Sequence, residues 1–386
     1  MSTMSIGLSM FGAMLVLMAV RVPIAISMFV PGAVGYMALA GWLPLLSHLK
    51  GAVYSRVSIY DLSVIPLFML MGAFAVHGGL SKALFDFANA LLGRFKGGMA
   101  MAGVLACAAF GSISGSTVAT TATIAQVAYP EMRRINYSGR LATAALATGG
   151  TMGVLLPPSV TLMVYAILTE QNITKMFLAA YIPALIAAVG YLIAIAVIVR
   201  IHPEQAPQAK AATGSELLSS ALNVWPIAAI FLVVFGGIYG GVFTATEGAA
   251  IGNVLTFAIT LLRREMTFDK LVASIRTTAQ TSGMIFLIFI GADMINASLA
   301  LSQLPAQLAD MVGHLQISPV VVMAGIMIFY IILGCVMDEM SMILLTVPTL
   351  FPVILGMDFF GLNPSDKALW FGILILTVCE IGMIFP

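Results

Sequence analysis

The chain has 386 residues, of which 61% are hydrophobic and only 9% are charged, and its formal net charge is +1. Soluble domains carry about 25% charged residues, so this composition, with a mean hydropathy of +1.06, excludes a soluble globular protein and indicates a polytopic membrane protein. The few charges are sorted by position and form no basic patch, so the net charge gives no indication of nucleic-acid binding, and no nucleic-acid partner is predicted.

Apolar runs of about 20 residues recur along the chain and predict membrane spans. In the first half the predicted spans are 4–20, 23–41, 61–77 and 177–199. His48, Lys50 and Arg56 interrupt the apolar pattern after the second span and predict a loop there.

Three further segments of the first half are not ordinary spans. Residues 81–95 are amphipathic, which is typical of an arm helix lying along the membrane. Residues 97–130 carry a serine-rich patch midway between two polar ends and predict a re-entrant hairpin. Residues 141–168 are interrupted by glycines and a double proline, so we predict a broken span.

The second half begins after a polar stretch that we predict to be a cytoplasmic linker, residues 201–222. Its predicted spans are 225–239, 242–262 and 283–299, and a basic amphipathic stretch occupies 263–276. A second arm is predicted at 304–315, a second hairpin at 319–353 and a second broken span at 368–386. Residues 1–200 and 223–386 thus contain the same kinds of segment in the same order.

Short sequence matches support this internal repeat. Met101-Ala102-Gly103 followed by Gly111 corresponds to Met323-Ala324-Gly325 followed by Gly334, and Gly153 to Pro157 corresponds to Gly382 to Pro386. The stretch from Pro66 to Gly72 resembles that from Met284 to Gly291. The matches lie in the same order, at an offset of about 220 residues between the halves.

The distribution of Lys and Arg predicts the topology. If the first hairpin enters the membrane from one side and the second hairpin from the opposite side, 13 of the 17 basic residues lie on the side from which the first hairpin enters. These residues are Arg21, Lys82, Arg94, Lys96, Arg133, Arg134, Arg140, Arg200, Lys210, Arg263, Arg264, Lys270 and Arg276. Basic residues mark the cytoplasmic side. The N-terminus is then outside, and two hairpins on opposite faces make an inverted-topology repeat.

Hydroxyl groups and freed carbonyls near the first hairpin tip predict an ion site. In a membrane, irregular backbone must line a cavity or be buried in protein, and carbonyls of a broken helix are suitable sodium ligands. The candidate ligands are Ser112, Ser114, Ser116, Thr151 and Gly153, with Gly334, Asp338 and Gly382 as the symmetry-related set. The alternative is a small-residue interface that lets two helices approach closely.

An anionic substrate is predicted to lie between the hairpin tips, near the positive ends of the half-helices. The candidate residues are Ser114, Ser116, Thr117, Pro157, Asp338 and Ser341. Asp338 is an acid at membrane depth and therefore a functional candidate, with an ion pair or a water-exposed tip as the alternative. For Glu247, structural use at a helix N-terminus is favoured. Asp293 and Glu380 are weaker candidates.

Several kinds of chemistry have no signature in the chain. There is no nucleophile paired with a base, no H-E-x-x-H motif and no glycine-rich phosphate loop, so neither an enzyme nor an ATPase is indicated. Three cysteines and four histidines at irregular spacing favour neither disulfides nor a transition-metal site. No organic cofactor is predicted.

Three motifs together resemble the large membrane subunit, the DctM-type permease, of a tripartite ATP-independent periplasmic (TRAP) transporter. They are Gly111 to Ser116, Gly150 to Ser159 and Gly236 to Glu247. The resemblance covers essentially the whole chain. It implies sodium-driven uptake of an organic acid across the bacterial inner membrane by an elevator mechanism, with both hairpins on the moving domain, a fold similar to that of the ion-transporter superfamily.

The resemblance also implies two partners, a small four-helix membrane subunit of the DctQ type and a periplasmic binding protein of the DctP type. C4-dicarboxylates, sialic acids and other carboxylates all suit such a permease. Permeases of this kind continue past the second proline break, so we expect the second ion site to be truncated at Pro386. A passive anion channel and an intramembrane enzyme are the alternative functions.

Overall fold

The computed structural model describes residues 3–207, 212–307 and 318–385. In these ranges the chain forms helices joined by short turns and contains no β-strand. Eight helical segments in the described ranges are long and apolar enough to cross a membrane. The prediction of an all-α polytopic membrane protein is therefore confirmed.

Except for α3, which the sequence did not predict, the helices of the first half begin and end within a few residues of the predicted boundaries. They are α1 (Thr3–Ala19), α2 (Ile24–Ala40), α3 (Trp42–Val57), α4 (Val64–His77), α5 (Leu80–Leu92), α6 (Gly98–Ser114), α7 (Thr117–Arg134), α8 (Gly139–Leu155), α9 (Val160–Leu168) and α10 (Ile173–Ile201). Those of the second half are α11 (Gly214–Tyr239), α12 (Ala245–Leu262), α13 (Phe268–Leu301), α14 (Pro319–Gly334), α15 (Glu339–Gly356) and α16 (Pro364–Ile384).

The chain forms two compact units, each assembled from separate stretches of sequence. Unit one comprises Met1–Leu62, Val164–Asn172 and Gln280–Pro386, and unit two comprises Ser63–Met163 and Ile173–Ala279. Unit two contains the first hairpin, α6 and α7, together with α8. Unit one contains the second hairpin, α14 and α15, together with α16. Each unit therefore contains one hairpin and the helix that follows it.

In unit two, the open end of the first hairpin is held by Tyr137, which is fully buried. The phenol accepts a bond from the backbone nitrogen of Met99 at 3.3 Å, near the start of α6. The carbonyl of Tyr137 accepts one from Nη1 of Arg133 at 2.8 Å, at the end of α7. Burial raises the pKa of the Tyr137 phenol, so it stays a neutral hydrogen-bonding group.

In unit one, α13 packs closely on α2 and bonds to α15. A Cβ on Gly32 would lie 2.7 Å from the Ile295 nitrogen, so the two backbones meet directly there. Nδ2 of Asn296 donates to the Leu344 carbonyl at 3.2 Å. Pro348, four residues after Leu344, has no N–H to offer that carbonyl, so the asparagine supplies the missing donor.

The loop predicted around His48 is wrong, because residues Trp42–Val57 form α3. Leu45 and Ala52 are buried at helical spacing, and His48 lies between them on the same face. Its Nε2 is 3.2 Å from Oδ2 of Asp293, and its ring stacks on Tyr36. A polar residue that looked like a loop signal is thus paired inside a helical bundle.

The non-helical part of the predicted linker is shorter than expected, since α11 begins at Gly214. Thr213 and Glu216 form a capping box that starts this helix: the Glu216 nitrogen donates to Oγ1 of Thr213, and the Thr213 nitrogen donates to Glu216. The amphipathic stretch 263–276 and the span 283–299 also belong largely to one helix, α13. No proline separates them, and Gly283, the first residue of the predicted span, costs only about 1 kcal/mol in a helix, which is too little to break it.

The structure describes the first predicted arm and both predicted hairpins, but only part of the second predicted arm. The arm predicted at 81–95 corresponds to α5, which ends at Leu92. Of the second predicted arm, residues 304–307 are helical and 308–315 lie outside the described residues. Both hairpins are pairs of helices, as predicted, and the span 141–168 is broken between Leu155 and Val160. Pro386 also lies outside the described residues.

Candidate functional site: the hairpin tips and helix breaks

The first hairpin turns in two residues. Helix α6 ends at Ser114, Gly115 adopts a left-handed conformation with φ of 61°, and Ser116 is extended before α7 begins. Glycine is needed at position 115 for a second reason as well. A Cβ there would lie 2.7 Å from the Pro158 carbonyl oxygen, so the tip touches the break between α8 and α9.

The break between α8 and α9 frees backbone carbonyls by its sequence. Pro157 and Pro158 have no N–H, so the carbonyls of Gly153 and Val154 lack the donors that continue a helix. Ser159 then starts α9 by accepting a bond from the Leu162 nitrogen at 3.1 Å. Pro157 is buried, and so are Pro158 and Ser159, which follow it in the chain.

Close packing between glycines joins the tip to the break. A Cβ on Gly111 would lie 2.9 Å from the Gly153 nitrogen, and one on Gly153 would lie 3.1 Å from the Ser116 carbonyl oxygen. Only residues without side chains let the two backbones come this close. The predicted residues Ser116, Gly153 and Pro157 are thereby brought into one small region of unit two.

The predicted hydroxyls near this region have distinct partners. Ser112 donates to the Ala109 carbonyl at 2.7 Å, and Thr151 donates to the Thr148 carbonyl at 2.7 Å. Ser116 caps α7 by accepting from the Ala119 nitrogen. Ser112 and Thr151 use their hydroxyl hydrogens in these bonds, and Ser116 uses one lone pair. Because a hydroxyl oxygen has two lone pairs, each of the three oxygens keeps at least one lone pair for a cation.

Two residues that the sequence reasoning missed belong to the same region. Thr120 is fully buried and its Oγ1 lies 2.6 Å from Oγ of Ser114. Tyr191 of α10 brings its phenol to 3.4 Å from Oγ1 of Thr151. Thr120 follows the tip by one helical turn, a spacing that could have indicated it. Tyr191 is 40 residues away in sequence, and no local signal points to it.

The second hairpin repeats part of this arrangement in unit one. A Cβ on Gly334 would lie 2.8 Å from Cα of Gly382, so a glycine pair again joins the hairpin to the next helix. Asp338 caps α15: it accepts from Oγ of Ser341 at 2.6 Å and from the Ser341 nitrogen at 3.3 Å. The predicted residues Gly334, Asp338, Ser341 and Gly382 thus belong to one hairpin and its neighbour.

The two tips differ in charge. Residues 97–130 contain no charged side chain, whereas Asp338 and Glu339 adjoin the second tip. Of the other acids, Glu247 forms a capping box with Thr244 at the start of α12, in agreement with its structural interpretation. Asp293 pairs with His48.

Oxygen donors define what the first tip could bind. Hydroxyls and backbone carbonyls suit a hard cation, and such a set fits sodium better than a transition metal. In the described part of the chain, no group of three or more His, Cys, Asp or Glu residues could hold a metal ion. The N-termini of α7 and α9 adjoin the tip and the break, and their dipoles favour a nearby anion.

Helical hairpins and broken helices of this kind define a multi-pass membrane transport protein. The model of the family described as "Tripartite ATP-independent periplasmic transporter, DctM component" matches residues 11–386. The chain belongs to this family of TRAP transporter large permeases, as the sequence motifs predicted.

Named relatives agree with this assignment. The chain is 32% identical over 329 residues to the C4-dicarboxylate TRAP transporter large permease protein of Pseudomonas aeruginosa, covering 85% of this chain and 75% of the relative. It is 30% identical to the 2,3-diketo-L-gulonate TRAP transporter large permease protein of Escherichia coli, covering 97% and 86%. It is 27% identical to the isethionate TRAP transporter permease protein DctMQ of Oleidesulfovibrio alaskensis, covering 98% and 58%.

A solved structure shares the fold. The YdaH transporter of Alcanivorax borkumensis superposes with a TM-score of 0.53 at 15% identity, covering 89% of this chain and 77% of the other. At this identity the likeness concerns the arrangement of helices alone.

Proposed function

We propose that this chain is the permease of a sodium-coupled transporter that imports an organic acid anion. The observation that carries the proposal is the contact between the first hairpin tip and the helix break. There Gly111 meets Gly153, and Gly115 meets the Pro158 carbonyl. This packing gathers hydroxyl and carbonyl oxygens into a buried region, which is the chemistry that sodium requires.

The proposed first sodium site uses Ser112, Ser114, Ser116, Thr151 and Gly153, and Thr120 joins the set. Gly334, Asp338 and Gly382 are the proposed second site. The neutral first tip needs a cation to balance an approaching anion. At the second tip, a sodium ion would lie close to the carboxyl group of Asp338. An ion at each tip therefore lowers the cost of bringing a carboxylate to membrane depth.

The substrate is proposed to be a carboxylate or a similar organic acid anion. The relatives are named as permeases for a C4-dicarboxylate, for 2,3-diketo-L-gulonate and for isethionate, and a further relative is a sialic acid permease. All of these are organic acid anions. The proposed contacts are Ser114, Ser116, Thr117, Pro157, Asp338 and Ser341, near the N-termini of α7, α9 and α15.

Two protein partners are proposed, a small membrane subunit and a periplasmic substrate-binding protein. The isethionate relative supports the first, because this chain matches 58% of that longer protein, whose name, DctMQ, combines the M of the large subunit with the Q of the small one. The proposed location is the bacterial inner membrane, with the N-terminus in the periplasm, which rests on the distribution of Lys and Arg.

An elevator movement is proposed for the transport step, in which each hairpin moves together with the helix that follows it. Its support is that each hairpin is joined to the next helix by a glycine pair, Gly111 with Gly153 and Gly334 with Gly382. Tyr137 also holds the open end of the first hairpin. Such contacts favour movement of a hairpin together with its neighbour over opening of the hairpin itself.

Uptake into proteoliposomes tests the function. The chain, the small membrane subunit and the cognate binding protein are reconstituted with radiolabelled succinate or a radiolabelled sialic acid as probes. We expect accumulation against a gradient only with external sodium and all three proteins. A sodium-independent flux through the chain alone would instead identify a passive anion channel. Uptake without the binding protein would remove that partner from the proposal.

A further inference from the structure

Unit two carries a groove between α7 and α8, which begins at Thr121, one helical turn after the tip, and extends to the other end of the two helices. Its cavity volume is about 640 Å³, and it is lined by residues of both helices: Thr121, Ala122, Ala125, Gln126, Tyr129, Pro130, Thr143, Leu146 and Ala147. Small-molecule pockets in proteins commonly have volumes in this range. We propose that this groove holds an acyl chain of an anionic phospholipid whose headgroup lies against Arg133 and Arg140.

The groove is apolar although two threonines line it. Oγ1 of Thr121 donates to the Thr117 carbonyl at 2.8 Å, and Oγ1 of Thr143 donates to the Gly139 carbonyl at 2.8 Å. Each hydroxyl is therefore bonded to its own helix. The remaining lining is mainly alanine, leucine and proline, which suits a hydrocarbon chain.

Helical spacing carries both walls of the groove to the same basic end. On α7, Ala122, Gln126, Tyr129 and Arg133 recur every three or four residues and so share one face. On α8, Arg140 precedes Thr143 by three residues and Ala147 by seven. Two arginines thus stand where the two walls of the groove end.

The end of the groove has the chemistry of a membrane interface. A Cβ on Gly139 would lie 3.8 Å from Nη1 of Arg133 and 3.8 Å from the Tyr129 hydroxyl, so these two groups approach the same point. Tyrosine is enriched at headgroup level. Arg140 is exposed, and Arg134 nearby is paired with Glu131 at 2.8 Å.

Charge complementarity selects an anionic lipid as the occupant. Residues 129–143 contain Arg133, Arg134 and Arg140 against the single acid Glu131. Basic pockets between membrane helices bind anionic headgroups. A neutral lipid would fill the groove equally well but would supply no negative headgroup for Arg133 and Arg140.

Photo-crosslinking in nanodiscs tests the proposal. The full chain is incubated with phosphatidylglycerol that carries a diazirine in its acyl chain, and the adducts are mapped by mass spectrometry. We expect adducts within 121–130 and 143–147, and much weaker labelling by phosphatidylcholine with the same acyl chain. Equal labelling of these segments by the two lipids, or phosphatidylglycerol adducts found only outside them, would overturn the proposal.

Two pairs of variants sharpen the test. At sub-saturating probe, Arg140→Gln should lower the adduct yield about fivefold, whereas Arg276→Gln, an exposed arginine on α13, should leave it unchanged. Ala147→Trp should block the groove and remove its adducts, whereas Ala144→Trp, on the same helix but outside the lining, should not. Unchanged yields in both Arg140→Gln and Ala147→Trp would also overturn the proposal, and the comparison of lipids requires no variant.

Discussion

Ser114 and Thr120 face each other across the first hairpin tip, with their hydroxyl oxygens 2.6 Å apart. Both side chains are buried, and a Cβ on Gly153 would lie 2.8 Å from the Thr120 oxygen. One hydrogen lies in the bond between the two oxygens, so the pair keeps lone pairs that can face a cation. The broken helix thus adjoins a ready pair of oxygen donors.

Removing either hydroxyl should weaken sodium coupling. Leaving a buried polar partner unsatisfied costs about 1–3 kcal/mol, so Ser114→Ala and Thr120→Val should each raise the sodium concentration for half-maximal uptake by about fivefold or more. Thr120→Ser, which keeps the hydroxyl, should restore the dependence. Sodium titration of uptake in proteoliposomes measures the effect.

Ser220→Ala is the matched control for this pair. Its hydroxyl donates to the Leu217 carbonyl within α11, far from the tip in sequence, and its loss should leave the sodium dependence unchanged. Normal sodium dependence in both Ser114→Ala and Thr120→Val would show that the tip hydroxyls only support packing, which is the alternative that the sequence left open.

The glycine pairs should be intolerant of a methyl group. A Cβ on Gly334 would lie 2.8 Å from Cα of Gly382, and backbone cannot move aside as a flexible side chain can. We expect Gly111→Ala and Gly334→Ala to lower the free energy of unfolding by about 1–3 kcal/mol, the usual cost of overpacking. Gly325→Ala is the control, because nothing lies within 4 Å of its Cβ position.

Thermal unfolding of the purified variants, followed by size-exclusion chromatography, compares these substitutions. An unchanged midpoint for Gly111→Ala, relative to Gly325→Ala, would contradict the close contact between hairpin and broken helix. Loss in only one of the two pairs would mean that the two halves of the chain are not built alike.

Two acidic residues cap helix N-termini, and replacing each by its amide distinguishes the effect of its charge from the effect of its cap. Asp338 caps α15 and Glu247 completes a capping box on α12. Asparagine and glutamine keep those caps. We therefore expect Asp338→Asn to reduce uptake while expression and assembly persist, and Glu247→Gln to leave both uptake and expression near normal. Equal uptake in the two variants would remove Asp338 from the proposed site.

Cysteine labelling of intact cells tests the topology. Cys107 and Cys379 are buried and Cys335 is exposed, so Cys335→Ser provides the background. An impermeant maleimide should modify Ser365→Cys, in the exposed first turn of α16, but should reach Glu204→Cys only after the cells are permeabilised. The opposite pattern would overturn the placement of the basic residues in the cytoplasm and the inverted repeat with it.

Much of this architecture is accessible from local sequence patterns. Hydrophobic runs give the spans, and Gly115 and the pair Pro157-Pro158 indicate the turn and the break, because these residue types determine backbone conformation locally. The capping-box spacing of Thr213 and Glu216 also indicates the start of α11. The first turns of this helix are polar, however, and they were therefore predicted as part of the linker.

What the sequence could not supply depends on distant partners. His48 resembled a loop residue because Asp293, which pairs with it, is 245 residues away. Tyr191 reaches Thr151 from another helix, and the phenol of Tyr137 bonds Met99. Such pairings follow from packing, and neither periodicity nor composition contains them.

Asn296 and Pro348 make a pair in which one residue compensates for the other. Proline at position 348 deprives the Leu344 carbonyl of its helical donor, and Asn296 Nδ2 supplies one at 3.2 Å. Asn296→Leu should therefore lower the free energy of unfolding by about 1–3 kcal/mol, because a buried acceptor is left unpaired. Adding Pro348→Ala returns an N–H to α15 and should recover much of that loss.

The double variant makes this prediction specific. If Asn296→Leu acted only through packing, Pro348→Ala would add its own effect and the two would sum. If the two residues compensate for each other, Pro348→Ala should stabilise the Asn296→Leu variant by more than it stabilises the native protein. Chemical or thermal unfolding of the four proteins gives the coupling free energy directly. A value near zero would mean that the Leu344 carbonyl finds another donor and that Asn296 has a different role in unit one.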